Sequence, residues 1–127
     1  MSTTLGRDFW TRCGALLCAL GVSFGAFGAH ALRGVIGAAD MAIWEKAVFY
    51  HLLHAVALTL LSFQFEKTSR LRATCVLLCT GVVIFSGSLY LLVLTQQRWL
   101  GAVTPLGGIS LIAAWVWLAL PVGGKVK

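Results

Sequence analysis

Trp44-Glu45-Lys46-Ala47-Val48-Phe49-Tyr50-His51-Leu52-Leu53-His54 runs directly into Ala55–Leu61, and the whole stretch is apolar enough to sit in a bilayer. It holds two of the three histidines and the adjacent Glu45–Lys46 pair. Elsewhere charges stand aside from the apolar runs. Between Lys46 and Glu66 lie 19 residues with no Asp, Glu, Lys or Arg, and the same is true of 20 residues between Arg12 and Arg33. Two further windows are longer, 25 residues between Arg72 and Arg98 and 26 between Arg98 and Lys125. A helix needs roughly 20 apolar residues to cross a hydrocarbon core of about 30 Å, so the windows predict spans over roughly 11–32, 41–64, 72–95 and 104–121.

The expected fold is all-α, an integral membrane four-helix bundle formed by one transmembrane domain over all 127 residues. Hydrophobic residues make up 59% of the chain and charged residues 11%. Soluble domains carry about 25% charged residues, so this chain has too few to cover a water-facing surface. A net charge of +6 would suggest nucleic acid in a soluble protein. Here the basic residues flank the spans, which assigns them to orientation and phospholipid contact instead. Seven lie on one side (Arg7, Arg12, Lys67, Arg70, Arg72, Lys125 and Lys127) and three on the other (Arg33, Lys46 and Arg98). That bias places both termini in the cytoplasm, or in the matrix of an organelle.

A basic start before an apolar run also describes a secretory signal, and Ala29-His30-Ala31 supplies a small-x-small site. The run is long for that role, and its removal would leave an odd helix count without its glycine face. Cys13, Cys18, Cys75 and Cys79 lie in or beside the spans and form no C-x-x-C. They read as small packing residues rather than metal ligands or a disulfide framework.

In the first span Gly14, Gly21, Gly25, Gly28 and Leu32 fall within an arc of about 60° at 3.6 residues per turn. Such a stripe lets helix backbones approach closely, with a partner in the same chain or in another copy. His30 points away from it. Asp40 is a plausible N-cap for the second span. There Lys46, Tyr50 and His54 recur every four residues, with His51 about 60° round from His54. Together they make a candidate intramembrane polar seam, and Glu45 faces elsewhere. The histidines lie about 15–20 Å beyond Met41 along the helix, near mid-membrane. Ionisable residues at that depth raise a functional hypothesis, but a neutral histidine also serves as structural glue between helices.

The third span presents Gly81, Ser88 and Thr95 on one face and Cys79, Ser86 and Tyr90 on another, which suits a helix packed on two sides. Gly87 permits a close approach or a bend. Trp99 reads as an interface anchor. Thr104-Pro105 reads as a cap followed by a first-turn proline. Gly107, Ser110, Ala114 and Trp117 form the inward stripe of the fourth span, which Pro121, Gly123 and Gly124 end.

Four local patterns line up in order: Gly25-Ala26-Phe27-Gly28-Ala29-His30-Ala31-Leu32, Tyr50-His51 with His54-Ala55, Phe85-Ser86-Gly87-Ser88-Leu89-Tyr90-Leu91, and Thr104-Pro105-Leu106-Gly107-Gly108. With them, residues 9–120 of the chain resemble the small four-helix membrane proteins grouped as a domain of unknown function. That group includes bacterial YgdD-like and mitochondrial transmembrane protein 256-like proteins. The resemblance implies an integral inner-membrane protein, bacterial or mitochondrial, and no particular activity. His30, His54, Ser86, Ser88, Tyr90, Thr104 and Pro105 carry over only as positions matching the pattern.

Three functions remain to weigh. A structural protein or an accessory subunit of a larger membrane complex, respiratory complexes included, accounts for the glycines, with lipid and other membrane subunits or a second copy as partners. A small proton- or ion-coupled transporter would rely on His51 and His54, because no Asp or Glu lies inside the four windows. Haem ligation would pair His30 with His51 or His54, whose depths differ by on the order of 10 Å. An enzyme is not expected. The chain has no G-x-S-x-G, no H-E-x-x-H and no facing carboxylates, and neither cofactor nor metal is called for.

Overall fold

The computed structural model describes residues 3–64 and 69–121. Helix α1 (Thr3–Phe27) runs on into a π-helical turn (Gly28–Leu32), and α2 (Ala38–Ser62), α3 (Ser69–Thr95) and α4 (Leu100–Ala119) follow. Among the described residues there is no strand. Glu66, Lys67, Gly123, Gly124, Lys125 and Lys127 lie outside them. Three stretches, Leu5–Leu32, Ser69–Thr95 and Leu100–Ala119, are long and apolar enough to cross a membrane. Helix α2 has the length, at 25 residues, but Glu45, Lys46, His51 and His54 dilute its apolar character.

Each helix packs mainly on its neighbours in the chain: α1 on α2, α2 on α3 and α3 on α4. Thr11 and Ser62 share a hydrogen bond of 2.8 Å between α1 and α2. The Arg70 guanidinium at the start of α3 donates to the carbonyls of Leu120 and Pro121 beyond α4. The starts of α1 and α3 therefore lie with the ends of α2 and α4 at one end of the molecule. The other end holds the loops after the π-helical turn and after α3.

The glycine stripe of α1 meets α2 of the same chain. A Cβ built on Gly14 would lie 2.9 Å from the Thr59 backbone, on Gly21 2.6 Å from Leu52, on Gly25 3.4 Å from Val48 and on Gly28 2.6 Å from the Trp44 indole. The α3–α4 contact is closer still. A Cβ on Gly107 would overlap the Phe85 backbone nitrogen and lie 2.7 Å from its Cα, and one on Gly81 would lie 2.7 Å from Leu111 Cγ. Beside Gly87, by contrast, space is open. Two clusters of buried side chains fill the interior. One gathers Leu32, Trp44, Ala47, Leu89 and Tyr90, and the other Leu58, Cys75, Leu78, Val82 and Leu111.

Three local expectations give way. Gly37, not Asp40, stands before α2, with extended backbone and no side-chain cap. Asp40 instead reaches across to Gln96 Nε2 at 2.9 Å and Arg98 at 3.4 Å. Helix α4 starts at Leu100, ahead of Thr104-Pro105, because the N–H groups of Leu100, Gly101 and Ala102 already bond back to Gln97, Arg98 and Trp99 at 3.0–3.1 Å. Pro105 thus stands inside the helix. Trp117 is 45% exposed and lies under the Arg70 guanidinium, 5.8 Å from it. Leu111, buried against Gly81 of α3, stands among the inward residues instead.

Candidate functional site: a buried polar seam between the helices

Helix α2 sits between α1 and α3, so side chains on two of its faces are enclosed. His51 is 3% exposed. Its Nδ1 lies 2.9 Å from the Tyr90 hydroxyl on α3. Its Nε2 is buried on the α1 side, without a partner in hydrogen-bonding geometry. Either tautomer makes the contact with Tyr90, Nδ1 accepting from the hydroxyl or Nδ1–H donating to its oxygen, and in both Nε2 is left unpaired. The Tyr90 ring is in turn held between Phe24 and Trp44, with centroids 4.8 and 4.7 Å away. Trp44 donates its indole N–H to the Phe24 carbonyl at 2.8 Å and rests on Gly28, where the helix widens into its π-helical turn. The first sequence pattern and Trp44 thus form one lock between α1 and α2.

His54 faces another way. It is buried, its Nδ1–H donates to the Tyr50 carbonyl one turn back at 2.7 Å, and its ring stacks on Tyr50 with centroids 5.9 Å apart. Trp115 of α4 lies 6.0 Å away, and Phe85 of α3 packs on Tyr50 at 4.8 Å. The structure therefore separates the four seam residues. His51 belongs to the α1–α2–α3 junction, while Tyr50 and His54 line the cleft between α2 and α4. Lys46 is exposed and in neither group.

Hydroxyls complete the seam. Ser86 donates to the Ala47 carbonyl at 2.7 Å, joining α3 to α2. Ser88 and Thr104 share a hydrogen bond of 2.6 Å between α3 and α4, and Ser110 of α4 donates to the Leu77 carbonyl at 2.8 Å. Neither Ser86 nor Ser88 meets His54. His30 and Pro105 are exposed. Among the described residues no three His, Cys, Asp or Glu side chains converge as metal ligands would. Sequence reasoning missed the bond from Trp44 to Phe24 and the approach of Trp115 to His54. The signal available for Trp44 was Gly28 on the preceding span, a small residue against which an indole can rest.

Tyr90→Phe should lower stability by about 1 kcal/mol, the usual weight of a side-chain hydrogen bond between membrane helices. Thermal melting in detergent, run as a double-mutant cycle with His51→Leu, would measure it. If the effects of the two single substitutions simply add, the pair contributes nothing.

Apolar helices tied by buried hydroxyl, imidazole and indole groups define a small all-α membrane protein of four helices. The chain belongs to the family described as Protein of unknown function (DUF423), which matches residues 24–108. The match opens at Phe24, which accepts the Trp44 bond, and holds every member of the seam except Ser110 and Trp115. Among relatives, UPF0382 membrane protein SH2409 of Staphylococcus haemolyticus is 46% identical over 108 residues, covering 84% of this chain and 88% of that protein. UPF0382 membrane protein YwdK of Bacillus subtilis is 41% identical over 110 residues, covering 84% and 89%. No solved structure matches.

Proposed function

We propose that the protein is a non-enzymatic structural component of the bacterial inner membrane, an accessory subunit that packs against a larger membrane complex. One observation carries this reading. The buried hydroxyl and imidazole bonds of the seam join the chain's own helices to one another. The glycine stripe is occupied by α2 of the same chain. Apolar side chains more than 60% exposed remain on α1 (Leu16 and Val22), on α2 (Phe49 and Leu60) and on the outer face of α4 (Leu106, Ile109 and Ile112), and the last of these is the face we assign to the partner. The bacterial relatives named as membrane proteins support the choice of membrane. Arg7, Arg12, Arg70 and Arg72 gather at one end of the molecule, and the excess of positive charge orients that end toward the cytoplasm.

Protein released from its native membrane in a mild detergent should run as part of a larger assembly, and Ile109→Arg on the outer face of α4 should release it. A monomer in both cases would overturn the proposal. So would a pH-driven flux in proteoliposomes that His54→Ala abolishes, since it would make the histidines a transport path.

A further inference from the structure

A groove of about 310 Å³ lies between α1 with its π-helical turn and α2, toward the end of the molecule away from the α2–α3 loop. Gly25, Gly28 and Ala29 form one side, and Trp44, Val48, Phe49 and Leu52 the other. Arg33 and Glu45 complete the lining. Both are exposed, and neither side chain has an ion pair or hydrogen bond with any described residue.

The placement of these two charges selects the occupant. Glu45 stands seven residues into α2, about 10 Å along the helix from Ala38. A carboxylate there, beside lipid, is costly unless a cation meets it. Arg33 leaves the π-helical turn with a guanidinium fork suited to a phosphate. A wholly anionic lipid would be drawn by Arg33 and repelled by Glu45, and a cationic amphiphile the reverse. A zwitterionic headgroup satisfies both. A primary ammonium also donates N–H bonds to the carboxylate, which a quaternary one cannot do. The remaining residues, 1–2, 65–68 and 122–127, join the chain at the opposite end of the helices.

We propose that this groove binds one phospholipid with an ethanolamine headgroup, its acyl chain along Ala29, Phe49 and Leu52, its phosphate at Arg33 and its ammonium at Glu45. The site does not depend on whether α4 meets a partner.

Native mass spectrometry on detergent-purified protein, offered equal amounts of phosphatidylethanolamine, phosphatidylcholine and phosphatidylglycerol with identical chains, tests it. The ethanolamine lipid should be retained about fivefold over the glycerol lipid, the weight of one partly exposed ion pair, and about fivefold over the choline lipid, the weight of an N–H hydrogen bond to the carboxylate. Glu45→Gln should erase that preference, Arg33→Gln should weaken all three lipids, and Ala29→Trp should empty the groove. Both charged residues are exposed, so their variants should keep the wild-type helical content. Equal retention of the three lipids by the wild type, or unchanged preference in Glu45→Gln, would overturn the proposal.

Discussion

Trp44→Ala is expected to lower stability by about 4 kcal/mol, as deletion of a buried tryptophan does. The indole is 2% exposed and packs against Phe24, Phe27 and Tyr90 at centroid distances of 6.1, 5.7 and 4.7 Å. In lipid the drive to hide apolar surface between helices is gone, so contact and hydrogen bonding must hold them together. Trp44 supplies both, at the junction of three helices. Trp44→Phe separates the two contributions: it keeps much of the ring and leaves the Phe24 carbonyl without the indole, so a loss of about 1 kcal/mol is expected. Melting temperatures in one detergent would rank the three proteins. If Trp44→Ala melted with the wild type, the lock between the first sequence pattern and α2 would not be a source of stability.

Gly107→Ala should cost about 3 kcal/mol, at the upper end of ordinary overpacking. The added methyl would meet the main chain of Phe85 rather than the tip of a flexible side chain, so α3 and α4 must part. The hydrogen bonds from Ser88 to Thr104 and from Ser110 to Leu77 would be strained with them. Gly87→Ala gives the opposite sign. Nothing lies within 4 Å of its added Cβ, and alanine exceeds glycine in helix propensity by about 1 kcal/mol, so this variant should melt above the wild type. The two substitutions add the same atom, so their melts in parallel separate packing from propensity. Equal shifts would mean that the close approach at Gly107 is absent in the membrane.

The four helices were legible because charges are expensive in lipid, so each window between charges marks one helix, although α1, α2 and α3 begin ahead of their windows and carry charges in those opening turns. Helix starts were less legible. Thr104-Pro105 has the chemistry of a cap, yet the backbone closes its first turn upstream at Leu100, and Thr104 turns inward to Ser88. The glycine stripe was visible, but a helix of the same chain and a helix of another copy ask for the same small residues. Periodicity put Ser86 and Tyr90 on one face of the third span and Gly81 and Ser88 on another, and they do face α2 and α4 respectively. It could not pair Tyr90 with His51, because that depends on how far α3 slides along α2. Nor could it find the partner of Trp44, since a main-chain carbonyl leaves no trace in a sequence. Lys46 shares an angle with Tyr50 and His54, but an angle on one helix does not say which neighbour covers it.

The packing of each helix on its chain neighbours bears on how the protein is made. During synthesis α1 meets its main partner as soon as α2 is complete, and α3 then finds the Ala47 carbonyl and His51 already displayed. Helix α4 arrives last, onto a surface of α3 that only it needs. No helix has to wait for a distant one, and contacts close in sequence order are the kind that form quickly. Such a chain can assemble one hairpin at a time as it enters the bilayer, with little exposure of half-paired hydroxyls to lipid along the way.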